Sequence, residues 1–172
     1  MDRQNEQESV KVQIEDKRSV CYLVRKNRPG MEILLGMSKQ GFSKGKFNGI
    51  GGRFDFSLGD RNLADTAMRE TQEEIEVNVQ GLKQVAILYT CYPTKDENNQ
   101  ELHIFLCDRW NGIPMETIEM KPEWFNISKL PFNQMWPDDI YWLPLVLLGY
   151  ALEGRFIFTK DHKLLGAKIL LT

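Results

Sequence analysis

Three glutamates and an arginine crowd the segment Arg69-Glu70-Thr71-Gln72-Glu73-Glu74. On a helix, at 3.6 residues per turn, Glu70, Glu73 and Glu74 share one face and gather three carboxylates. Like charges at these spacings repel, so the face calls for a compensating cation. Arg69 lies four residues before Glu73 and can brace that carboxylate in its ionised form. Hard oxygen donors of this kind suit Mg²⁺, which commonly bridges one or two carboxylates to substrate phosphates. A metal held there would stabilise charge on phosphorus and lower the pKa of an attacking water. One of Glu73 or Glu74 would take the proton, and the residues leave open which. The plainer alternative is a solvated helix face laced with ion pairs, as charge runs usually are.

Upstream, Asn48-Gly49-Ile50-Gly51-Gly52 is a glycine-rich loop whose backbone amides and carbonyls can approach a metal or phosphate closely. From Gly52 to Val77 the chain resembles the Nudix box, G-x5-E-x7-R-E-U-x-E-E-x-G-U with U apolar. Arg69, Glu70, Glu73, Glu74 and Val77 match it. The interval from Gly52 to Arg69 is three residues longer than the pattern. Asp60 stands near the place of the first glutamate, Thr71 takes an apolar position and Glu76 takes the glycine's. The stretches LLGMSKQGFSKGKFNGIGG and EMKPEWFNISKLPFNQMWPDDIYWLP are similar to the MutT-like oxidised-purine nucleoside triphosphate hydrolases. That resemblance covers roughly Ser19 to the last hairpin. It implies an α+β Nudix fold, with a mixed β-sheet sandwiched between helices in an α/β/α arrangement. It also implies hydrolysis of substrates such as 8-oxo-dGTP or 2-oxo-dATP to the monophosphate and pyrophosphate. Glu70, Glu73 and Glu74 are then the metal ligands, with the Gly51 carbonyl and Glu119 as additional ones, and Mg²⁺ (or Mn²⁺) is the cofactor.

In the same family the positions of Asn48, Trp136, Asp138 and Asp139 contact the base. Two adjacent carboxylates can present acceptors to a purine edge, or one protonated donor if desolvation keeps a member neutral. Trp136 offers a flat face for stacking, Phe42 is expected to line the pocket opposite, and Asn48 can bond the base through its amide. Against this, an aspartate before a helix commonly caps it, and Trp136 fits a core. We expect one aspartate to cap and both to lie near the pocket. Ser38 and Gln100 stand where the family usually has lysine and methionine, so base preference is less determined than chemistry. His103, on an apolar strand, reads as a buried structural residue, and His162, in a turn, as exposed.

Positioning these groups requires strands with a helix on each side. Val10, Val12 and Ile14 alternate with polar residues like an edge strand within a polar extension over 1–17, ahead of a domain at 18–172. Ser19–Val24 reads as a buried strand and Glu32–Met37 as its hairpin partner. Asp60 is a plausible N-cap for a helix to about Ile75, whose Leu63, Ala67, Thr71 and Ile75 form an apolar stripe. Val85–Cys91 and Leu102–Cys107 are strands about the turn TKDENNQ, and Pro122–Phe125 begins another extended piece. A second helix is expected over Asp139–Leu152, with Pro144 tolerated near its start. Arg155–Thr159 and Leu165–Leu171 make a final hairpin.

The 172 residues fit one domain, and a net charge of −2 argues against a polyanion-coating surface. The expected partner is not nucleic acid, and the family resemblance implies a small nucleotide. Three cysteines make no disulfide framework, the polar start is no signal peptide and no apolar run spans a bilayer. A cytoplasmic protein is expected, and a monomer is compatible with these features. Two other functions fit the same residues: action on another nucleoside diphosphate derivative or an unmodified triphosphate, and a silent nucleotide-binding module.

Overall fold

The computed structural model describes residues 14–28, 30–93 and 98–172. The strand expected over Val10–Ile14 lies almost wholly outside them, and Ile14 itself precedes the first strand. That strand, β1 (Asp16–Asn27), starts inside the stretch assigned to the extension. It is followed by β2 (Gly30–Ser38), β3 (Phe47–Asn48), helix α1 (Leu63–Ile75), β4 (Asn78–Gln80), β5 (Lys83–Cys91) and β6 (Gln100–Cys107). Then come β7 (Arg109–Asn111), β8 (Met120–Asn126), helix α2 (Asp139–Leu147), β9 (Leu152–Phe158) and β10 (Leu164–Leu171).

The main sheet runs β10-β9-β5-β6-β1-β2-β3, with β8 also paired to β2, while β4 and β7 form a separate ribbon. β1 with β6 and β5 with β9 are parallel and the other pairs antiparallel, so the sheet is mixed. The continuous apolar run in β1 reflects burial on both faces. Val20 and Tyr22 join a core with Ile33, Leu35, Trp142, Leu143 and Val146 on the α2 side. Cys21 and Leu23 join another with Leu34, Ile50, Ala67, Ile75 and Phe105 on the α1 side. Period-two alternation thus feeds one strand into two cores, giving the expected α/β/α layering.

Two helix boundaries differ from the sequence reading. The N-cap of α1 is Asn62, whose Oδ1 accepts from the amides of Ala64 (2.9 Å) and Asp65 (3.0 Å). Asp60 is instead drawn off the helix start by a guanidinium, described below. The second helix stops at Leu147 because Gly149 turns left-handed (φ 99°), and Leu152 already belongs to β9. At the far end of α1, Glu76 occupies the left-handed C-cap (φ 59°), and its amide donates to the Gln72 carbonyl at 3.1 Å. That conformation is one glycine adopts without cost, which explains why the box normally carries glycine there. Among the described residues no helix is long and apolar enough to cross a membrane.

Candidate active site

Residues 48–53 lie antiparallel against β1. The amide of Cys21 donates to the Ile50 carbonyl (2.7 Å), Ile50 donates back (2.9 Å), and Ser19 donates to Gly52 (3.0 Å). The approach is so close that a Cβ on Gly51 would strike the Ser19 carbonyl, and one on Gly52 the Glu70 carboxylate. Glycine is required at both because backbone and carboxylate occupy the side-chain space. The three extra residues between Gly52 and Arg69 do not disturb this contact. The same interval includes a turn at Phe56–Leu58 that projects Phe56 and Leu58 into solvent.

Arg69 organises the acidic face. Its Nε and Nη2 donate to Asp60 Oδ1 (3.0 Å) and Oδ2 (2.9 Å), and Nη1 donates to Glu70 Oε1 (2.8 Å) and Glu73 Oε2 (3.0 Å). Asp60 also accepts from the Asp55 amide and the Thr66 hydroxyl. Hydrogen bonding from Arg69, reinforced by these donors, outweighs burial and holds Asp60 down at about 2. Asp60 thus anchors Arg69 rather than capping α1.

Glu74 points the other way and accepts from the Gly51 amide at 3.1 Å. Burial, then the charge of Glu70, raises it to about 8, with Glu119 and Glu73 pushing in the same direction. Burial also raises Glu70, against the pull of Arg69. Glu73 is more than half exposed, and Glu119 sits in an exposed bend. The loop carrying Glu119 is tied to α1 by the Thr117 hydroxyl, which donates to the Glu74 carbonyl at 2.9 Å. Among the described residues no three of these carboxylates already converge on one point. Hard oxygens short of positive charge are nonetheless a donor set that fits a divalent cation.

Glu74 and the Gly51–Gly52 rail line a cavity of about 440 Å³, a volume suited to a small ligand. At its other end lie Asn48, Trp136, Asp138 and Asp139. Asn48 Oδ1 accepts from the Tyr22 hydroxyl (3.0 Å) and the Gly49 amide (2.7 Å), which orients its amide nitrogen. Neither aspartate supplies the expected cap. Asp138 occupies the N-cap position without capping and accepts from Trp142 Nε1 at 3.2 Å, whereas Asp139 Oδ2 accepts from the Trp136 amide at 3.0 Å. Both are buried. Desolvation raises both carboxyls, and the charge of Asp138 raises Asp139 further.

Phe42 does not face Trp136 across the pocket but stacks on it (5.2 Å, 19°), while the Lys46 ammonium sits 5.1 Å from the same indole. His162 is not free in solvent. Its ring stands edge-on to Phe42 (4.6 Å), Trp136 and Tyr92, and Nδ1 lies 3.3 Å from the Tyr92 hydroxyl. No sequence signal could have found it, since its partners are 26 to 120 residues away. His103 is half-buried as a structural residue bonded to Glu101 (2.7 Å). The sequence reading also missed Tyr22, the buried unpartnered hydroxyls of Ser19 and Thr90, and a cluster at the cavity's outer end. There Asp16 accepts from Arg18 (3.0 Å) and Arg53 (3.0 Å). Only strand alternation hinted at these, by placing Asp16, Arg18, Val20 and Tyr22 on one face of β1.

Residues 16–146 match the model of the NUDIX domain. The chain is 40% identical over 142 residues to an oxidized purine nucleoside triphosphate hydrolase of Danio rerio, covering 80% of this chain and 88% of that protein. It is 37% identical over 134 residues to its namesake from Mus musculus, covering 78% and 83%. The crystal structure of a MutT protein from Bacillus halodurans superposes with a TM-score of 0.75 at 21% identity, covering 90% of this chain and 97% of that one. With the arginine-bearing acidic helix packed on a glycine rail and a family match over most of its length, this chain belongs to the NUDIX family of hydrolases.

Proposed function

We propose that this protein hydrolyses oxidised purine nucleoside triphosphates, such as 8-oxo-dGTP and 2-oxo-dATP, to the monophosphate and pyrophosphate. One observation carries the reading: a single cavity is lined by Glu74 with the Gly51–Gly52 rail, against which Glu70 packs, and by the buried pair Asp138–Asp139 beside Trp136. The names of the two relatives support the same substrate class.

Glu70, Glu73 and Glu74 would hold Mg²⁺, with the Gly51 carbonyl and Glu119 completing the set. Bound there, the ion would neutralise phosphate charge and lower the pKa of an attacking water. Arg69 hydrogen-bonds both Glu70 and Glu73 and holds them along α1, and Asp60 fixes Arg69. Glu73 or Glu74 takes the proton of the water. At the base end, Asp138 and Asp139 share protons: one stays neutral and donates while its neighbour accepts, so one pocket can read both donor and acceptor groups on an oxidised purine. Asn48, oriented by Tyr22 and Gly49, adds a donor, and the indole of Trp136 adds a stacking face.

Pyrophosphate release from 8-oxo-dGTP, 2-oxo-dATP and dGTP, with and without Mg²⁺, tests the proposal. Metal-dependent turnover with higher kcat/KM for the oxidised nucleotides is expected. Equal kcat/KM for dGTP would refute the substrate class, and no release with any of them would refute the activity. By class of partner the protein acts on a small nucleotide, in the cytoplasm.

A further inference from the structure

Among the described residues lining the cavity, the cationic side chains are Arg18 and Arg53 alone. They sit at one end of an ordered track. On β1, Tyr22, Val20, Arg18 and Asp16 face the cavity in sequence, so Arg18 lies roughly 13 Å from Tyr22 along the strand. The glycine rail runs the opposite way beside it, with Cys21 paired to Ile50 and Arg18 paired to Arg53. The order from the inner end is therefore Tyr22 with Asn48, then Gly51 with Glu74, then the two arginines. A purine seated beside Asn48 and Asp139 leaves its phosphate chain one direction to follow, past Gly51 and out to the guanidiniums.

Those guanidiniums are ordered in advance. Asp16 accepts from Arg18 Nε (3.1 Å) and Nη2 (3.0 Å) and from Arg53 Nε (3.0 Å) and Nη2 (3.1 Å), with Gln100 at 3.4 Å. Burial disfavours the charge on Asp16, yet the two arginines hold its carboxyl below the usual range. Two guanidiniums on one carboxylate leave a net charge of +1, and each arginine still has its Nη1 donors for another anion. Elsewhere along the cavity the charged groups are acidic and would repel phosphate.

We propose that Arg18 and Arg53, braced by Asp16, form the docking site for the terminal phosphates of the nucleotide, the part that leaves as pyrophosphate. The inference rests on the triphosphate reading above but concerns polyphosphate, not base. The guanidiniums touch phosphate; Asp16 is a positioning residue acting through them.

The test measures calorimetric binding of inorganic tripolyphosphate and of 8-oxo-dGMP, together with KM and kcat for 8-oxo-dGTP with Mg²⁺. Arg18→Ala and Arg53→Ala should each weaken tripolyphosphate and raise KM by about 10-fold, the worth of one charge-assisted hydrogen bond. Binding of 8-oxo-dGMP and kcat should change by no more than about twofold. Unchanged tripolyphosphate binding, or equal losses for tripolyphosphate and monophosphate, would overturn the site. Arg53, whose side chain is 64% exposed, can be truncated without emptying the core should Arg18→Ala fail to fold. Asp16→Asn separates ordering from charge. Bracing predicts a higher KM although a negative charge beside the phosphates has gone, and a lower KM would overturn the positioning role. Wild-type protein that holds tripolyphosphate through these arginines yet cleaves no purine triphosphate would refute the proposed function and uphold the docking site.

Discussion

Asp60→Asn should destabilise the fold by about 2 kcal/mol at neutral pH, and the loss should disappear in acid. The side chain is 2% exposed and every hydrogen bond it makes is an accepted one: from the Asp55 amide, the Thr66 hydroxyl and two nitrogens of Arg69. Its carboxyl is held at about 2 against an ordinary 3.8. At 1.36 kcal/mol per pKa unit, that difference contributes about 2 kcal/mol when the group is ionised in both states. Between the two values the unfolded chain binds the extra proton, so stability rises with pH there. The contribution is complete above about pH 5, falls as pH drops below 3.8 and is gone below about 2. Asparagine adds an NH₂ facing a cluster of donors and leaves Arg69 short of a partner, which can raise the cost towards about 4 kcal/mol. Urea unfolding of wild type and variant from pH 7 to pH 2 measures the gap. It should narrow by about 2 kcal/mol over the acid limb. Other carboxylates titrate in both proteins and cancel in the difference. A gap that stays constant with pH, or one below about 0.5 kcal/mol at pH 7, would refute the claim that the Asp60–Arg69 pair is a strong internal anchor.

Glu74→Gln should lower kcat by about 10²-fold or more, while a nucleotide still binds in calorimetry, because on the proposed function the variant loses a carboxylate that would hold the metal and keeps the packing. Retained turnover would remove Glu74 from the machinery. Asp139→Asn cannot share a proton with Asp138, and should reduce kcat/KM for 8-oxo-dGTP by about 10- to 100-fold. Steady-state kinetics giving the same loss for dGTP would count against base reading by this pair. Glu76→Gly relieves a left-handed residue at the end of α1, and should raise stability by about 1 kcal/mol in denaturant unfolding. A neutral or lower midpoint would mean that the Glu76 conformation stores no strain.

The acidic face was legible because it is local. Spacing along one helix brings Arg69 to Glu73 without help from the rest of the chain, and the structure has that contact at 3.0 Å. The buried strand at Ser19–Val24, the hairpin to β2 and the apolar stripe of α1 were readable for the same reason: each depends on a period of two or 3.6 in neighbouring residues. Even Glu76 was visible as an oddity, although its left-handed backbone needed coordinates to be seen.

Contacts between distant segments were not legible. Asp60 has the right chemistry for an N-cap, and the sequence cannot say that a guanidinium nine residues on would outbid the helix amides while Asn62 takes the cap. Phe42 was assigned to the pocket, but its stacking on Trp136 depends on how two loops meet. Asp138 and Asp139 could each have capped α2, and burial against Trp142 and the Trp136 amide decided otherwise. His162 became part of the aromatic wall only because the β9–β10 turn folds over it. By itself, then, the sequence determined the acidic face of α1 and the strand and helix periods, since these follow from short-range geometry. Only the tertiary structure decided partners, burial and the line of residues from Tyr22 to Arg18, since those depend on which surfaces come together when the sheet closes on its two cores.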